Sequence, residues 1–76
     1  MSDSELVNVL KVHRAMKDLT QAELADRAGI TRVSVNAIEC GRMVPSVFLA
    51  LKLAAALGVT VDELFRLPPA GKTEGK

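Results

Sequence analysis

The stretch ELADRAGITRVSVNAIE, Glu23 to Glu39, runs one helical pattern into another with a single glycine at the join. Leu24, Ala25 and Ala28 recur at the spacing that lines one face of a helix, and Val35 and Ile38 do the same after the break. Glycine takes positive φ at no steric cost, so Gly29 closes the first helix and turns the chain at once. Thr31 is placed to cap the second helix. Ala25 is small where the two helices must approach closely, and Ile30, Val35 and Ile38 anchor the turn and the second helix. A short helix held in this way stands proud of the domain instead of lying flat on it.

Helical geometry, at about 100° per residue, says what this helix displays. Val35 and Ile38 mark its inner face, with Thr31 close by. Opposite them fall Val33, Asn36, Ala37 and Cys40, with Arg32 on the flank near the N-terminus. The outward face therefore offers a guanidinium, a carboxamide and small or apolar groups, and no acid. A DNA major groove about 12 Å wide admits one helix, and there Arg pairs with guanine and Asn with adenine, while Val33 and Ala37 suit a thymine methyl. The same residues also fit a plain reading: Arg32 and Asn36 as a solvated face, and Val33 as an exposed apolar side chain or a partner contact.

Outward from this segment, Leu6, Val7, Val9, Leu10, Val12 and Met16 predict a first helix, capped by Ser4 and ending near Asp18. Thr20 and Glu23 stand at capping-box spacing where the helix from Gln21 begins. GRMVPS (Gly41–Ser46) reads as a loop. SVFLALKLAAALG (Ser46–Gly58) predicts a fourth helix, apolar on nearly every side and so a central buried element. Thr60 and Glu63 open a fifth helix through Phe65, with Leu64 and Phe65 closing the core. Strand alternation is absent from this pattern. The expectation is an all-α fold of five helices in one domain, 1–67, with the Pro/Gly/Lys-rich residues 68–76 as a disordered tail.

Composition narrows the function. The 76 residues are 49% hydrophobic with no Trp or Tyr, so aliphatic side chains must build the core. A net charge of +1 gives no broad basic footprint, and any binding to nucleic acid must rest on local charge. Cys40 is the sole cysteine, which excludes an internal disulfide and a multi-cysteine metal site. It reads as a partly exposed thiol without a role, and His13 as half-buried packing. One His, one Cys and dispersed acids assemble no nucleophile–base pair, so no enzyme, cofactor or metal is expected. With no signal-peptide pattern and no apolar run near the roughly 20 residues that span a bilayer, the chain is expected to be cytoplasmic and to avoid membranes.

Three segments, LTQAELADRAGIT, NAIECGRMVPS and LALKLAAALGVTVDELF, together resemble the lambda-repressor-like (Cro/C1, or XRE) helix-turn-helix regulators over Leu10 to Leu67. The joint spacing of Gln21, Ala25, Gly29, Val35 and Ile38 carries the resemblance. It implies a five-helix DNA-binding domain, usually a dimer on a palindromic operator, with the third helix in the major groove of double-stranded DNA. By that resemblance Arg32 and Val33 read bases, with Asn36 and Ala37 one turn later. Gln21 meets phosphate and braces a reading side chain, Ser34 lies near the DNA backbone, and Arg42 meets phosphate. Arg14 and Glu39 are implied as an ion pair bracing the first and third helices.

The resemblance also leaves Val59, Val61 or Leu67 for a two-fold contact in a homodimer. Cys40, Met43 and Val44 depart from the family's polar residues, which weakens a lone copy's hold on DNA and makes dimerisation matter more. RNA polymerase or a cognate toxin are the further partners it implies, and nothing in the sequence encodes a ligand pocket. A reading from another class, a protein-interaction module such as an antitoxin subunit, rests on the outward Val33, Cys40, Met43 and Val44.

Overall fold

Helix starts in this chain are written in its Thr, Ser and Glu residues. In the computed structural model, which describes residues 6–68, the Thr20 hydroxyl accepts the Glu23 N–H at 3.0 Å while the Glu23 carboxylate accepts the Thr20 N–H at 2.8 Å. That reciprocal pair satisfies two otherwise orphaned donors and begins the helix Gln21–Ala28. Ser46 caps the helix Val47–Leu57 through the Leu49 N–H at 3.1 Å. Gly29, at φ 72°, ends the first of these and lets the Ile30 N–H reach the Ala25 carbonyl at 2.9 Å.

In order, the elements are β1 (Val7–Asn8), α1 (Leu10–Met16), α2 (Gln21–Ala28), α3 (Arg32–Glu39), α4 (Val47–Leu57), α5 (Val61–Leu64) and β2 (Phe65–Arg66). Leu10, Leu24, Val35, Ile38, Leu53, Leu57 and Leu64 are the most fully buried side chains, and Phe65 is the one aromatic in this core. Helix α2 packs against both α3 and α4, so the helix-turn-helix sits directly on the aliphatic centre.

Two expectations are corrected here. The residues ahead of Leu10 are not helical. Val7 and Asn8 pair antiparallel with Arg66 and Phe65, and the Val9 N–H donates to the Leu64 carbonyl at 2.9 Å. The all-α reading thus gains one short two-stranded ladder, α1 begins at Leu10, and α5 stops at Leu64 because Phe65 is extended. A ladder joining the two ends of a domain leaves no local periodicity to read. The predicted Ser4 cap lies outside the described residues, as does the tail from residue 69.

Helix α4 is not buried all round. Ala50, Leu53, Ala54 and Leu57 face the core, whereas Val47, Phe48 and Leu51 are each more than half exposed, as is Val44 just ahead of the helix. So small a domain has neighbours for only one side of this helix. Met43, Val59 and Val61 are half-buried against the core, leaving Leu67 as the exposed member of the C-terminal apolar group.

Gly29 offers a test of the turn. A Cβ added there would meet only the Lys52 ammonium, at an ordinary 3.8 Å, so the cost is backbone strain. Gly29→Ala is expected to lower stability by about 1 kcal/mol, read as a shift of the urea midpoint at unchanged slope.

Candidate nucleic-acid interface

Helix α3 is eight residues with only Val35 and Ile38 buried, so most of its surface faces away from the core. Thr31 starts it by accepting the Ser34 N–H at 3.1 Å and donating its hydroxyl hydrogen to Ser34 Oγ at 3.0 Å. Arg32 and Val33 follow as exposed side chains, Val33 at 72%. Asn36 is half-buried one turn on. Ala37 is less outward than helical geometry alone suggests. The loop folds back over it, and its carbonyl accepts the N–H groups of Arg42 at 2.9 Å and Met43 at 3.2 Å. Arg42 itself is exposed beyond the end of the helix.

The structure brings Gln21 and Asn36 together: Gln21 Nε2 donates to Asn36 Oδ1 at 3.2 Å. The same nitrogen donates to Glu39 Oε1 at 3.0 Å. Arg14 completes the cluster, with Nε donating to Glu39 Oε2 at 2.7 Å, Nη2 to Oε1 at 3.2 Å and Nη1 to the Leu19 carbonyl at 2.7 Å. The Arg14 and Glu39 side chains are only 15% and 4% exposed. The hydrogen bond to Glu39 raises the Arg14 pKa above its ordinary value against the opposing pull of burial, so the guanidinium stays charged. The acid of α3 is thereby neutralised and turned inward, leaving the exposed cations Arg32 and Arg42 at the two ends of the helix.

Asn8 is a structural contributor that the sequence reading missed. Its Nδ2 donates to the Ile38 carbonyl at 3.2 Å and its Oδ1 accepts the Leu10 N–H at 3.4 Å. It therefore ties the end of α3 to β1 and the start of α1. An Asn ahead of a helix is a cap signal, but a helix predicted from Ser4 hid it. Behind α3 lies an open cleft of about 510 Å³, lined by Leu6, Asn8, Ile38, Met43 and Phe65 among others. Among the described residues no cluster of His, Cys, Asp and Glu could hold a metal, and no helix is long and apolar enough to cross a membrane.

Comparison with known proteins agrees with this geometry. The family model described as helix-turn-helix matches residues 10–64. An uncharacterised HTH-type transcriptional regulator of Methanocaldococcus jannaschii is 43% identical over 58 residues, covering 76% of this chain and 88% of the relative. The regulator YgzD of Bacillus subtilis, also uncharacterised, is 40% identical over 60 residues, covering 79% and 91%. Among solved structures, the restriction–modification controller protein C.AhdI from Aeromonas hydrophila superposes with a TM-score of 0.71 at 39% identity, covering 74% of this chain and 85% of that one. The SinR protein, solved in complex with the SinI protein, gives 0.68 at 31% identity, covering 71% and 53%. The chain belongs to the helix-turn-helix family of Cro/C1 (XRE) type, a family of DNA-binding transcriptional regulators.

The ion pair can be tested by itself. Arg14→Met leaves the Glu39 carboxylate enclosed without its cation and is expected to cost about 3–5 kcal/mol in urea denaturation. Arg14→Met combined with Glu39→Leu should recover most of that loss, because no buried charge is stranded. Equal loss in the single and double variants counts against the brace.

Proposed function

We propose that this protein binds specific sites in double-stranded DNA by placing α3 in the major groove. Arg32 and Asn36 hydrogen-bond base edges, and Val33 meets thymine methyls with Ala37 beside it. Gln21 through its backbone N–H at the start of α2, with Ser34 and Arg42, contacts phosphates and sets the register, since phosphate contacts position while base contacts specify. The observation that carries this reading is the acid-free exposed side of α3, with Arg32 and Arg42 at its ends and Gln21 braced against Asn36. Such a protein, working in the cytoplasm, represses when its site overlaps a promoter and activates when its site lies beside bound RNA polymerase.

Two copies act together in this reading. With a net charge of +1 and few cations at the site, a single eight-residue helix holds DNA weakly. The surface suited to pairing is on α4, where Val47, Leu51, Ala55 and Phe48 fall within about 100° of arc beside the buried one. Val44, just ahead of the helix, is also exposed, and the Lys52 ammonium lies 4.7 Å from the centre of the Phe48 ring. The stripe also favours the second reading, a module whose main partner is another protein, such as a cognate toxin.

Binding to a selected duplex is expected to weaken steeply with salt. Arg42→Ala should reduce the slope of log K against log salt by about 1 per bound protomer, and Arg32→Ala should cost about 1–3 kcal/mol while relaxing specificity at one base pair. Salt-insensitive or negligible retention of every duplex rejects the DNA reading.

Phe48→Glu tests the pairing separately. It should convert a dimer, measured by sedimentation equilibrium, into a folded monomer. A wild-type chain that is monomeric at all concentrations assigns the stripe to another protein instead.

A further inference from the structure

We propose that the chain Arg14–Glu39–Gln21 fixes the polarity of Asn36, so that Asn36 reads hydrogen-bond acceptors in the groove, guanine N7 and O6, and not adenine. This rests on the DNA-binding reading above and deepens it to the level of one base contact.

The argument follows from which groups can donate. A carboxylate only accepts, and a guanidinium only donates. Glu39 Oε1 accepts from Arg14 Nη2 at 3.2 Å and from Gln21 Nε2 at 3.0 Å, so the Gln21 amide must turn its NH₂ inward. An NH₂ has two hydrogens, and the second goes to Asn36 Oδ1 at 3.2 Å. Asn36 is therefore obliged to turn its oxygen toward Gln21. Reversing Asn36 would set one NH₂ against another, and reversing Gln21 would set its carbonyl against the enclosed Glu39 carboxylate.

Cys40 completes the arrangement. Its thiol lies 3.7 Å from Asn36 Oδ1 and acts as a weak donor to the second lone pair. The oxygen of Asn36 is then engaged on both sides, and its NH₂ is the group left for DNA. Bidentate recognition of adenine needs one acceptor and one donor from the amide. With two donors only, the adenine N6 amino group faces an NH₂, whereas guanine presents two acceptors side by side. Gln21, Glu39 and Arg14 are in this sense positioning residues, setting the base preference without touching the base.

The experiment is selection of duplexes from a random pool by the full chain and by its Asn36→Ala variant. The base pair whose preference disappears in the variant is the one Asn36 reads, and guanine is expected there. Replacing that guanine by 7-deazaguanine, which lacks the N7 acceptor, should weaken wild-type binding about tenfold and leave the variant's residual binding unchanged. Gln21→Ala, its folding checked by circular dichroism, frees the Asn36 amide, and adenine should then be accepted at that one pair. Uniform weakening on all sequences in Gln21→Ala, with guanine still preferred there, overturns the positioning role. Adenine selected by the wild type, with affinity lost when its N6 amino group is removed, overturns the polarity and leaves DNA binding standing. A pool recovered as random as it entered overturns both.

Discussion

The Glu39 carboxylate, at the end of α3, is almost sealed from water, and satisfying it takes groups from two other parts of the chain: the Arg14 fork on α1 and the Gln21 amide at the start of α2. Enclosing an ion pair carries a desolvation cost that only well-aimed hydrogen bonds offset, and here both carboxylate oxygens are engaged. The geometry is therefore directional. Aliphatic packing among Leu10, Leu24, Ile38 and Leu53 drives collapse, but it tolerates shifts in how helices meet. The Arg14–Glu39–Gln21 cluster does not tolerate them to the same degree, and it stands at the place where α2 meets α3.

That location matters because α3 has little stability of its own. Isolated helices below about 12–15 residues are marginal in water, and this one has eight. Its form depends on the Thr31 cap, on Val35 and Ile38 in the core, and on Asn8 holding the Ile38 carbonyl from across the fold. With each end tied down, the side chains between them keep fixed directions. Any surface that tells hydrogen-bond donors from acceptors needs this, since a side-chain amide discriminates only when it cannot turn over.

The apolar stripe on α4 shows the opposite economy. Its inner residues complete the core, while Val47, Phe48 and Leu51 continue that apolar surface into solvent. Periodicity could not separate the two halves, because a helix with apolar residues on every side reads the same whether all of its surface or only part of it is enclosed.

Much of this was open to reading from residues alone. The Thr20/Glu23 box, Gly29 in left-handed conformation, the Thr31 cap and the inward Val35 and Ile38 all act within a few residues of themselves. Local chemistry places them, so the helix boundaries and inner faces from Gln21 to Glu39 are legible in the sequence. What only the tertiary structure decided involves partners far apart in the chain: β1 against β2, Asn8 on Ile38, the exposed side of α4, and Gln21 shared between Asn36 and Glu39. A hydrogen bond has a definite partner and a definite donor. Sequence spacing can say that Asn36 faces outward, but the direction in which its amide points depends on a carboxylate and a guanidinium brought to it by folding.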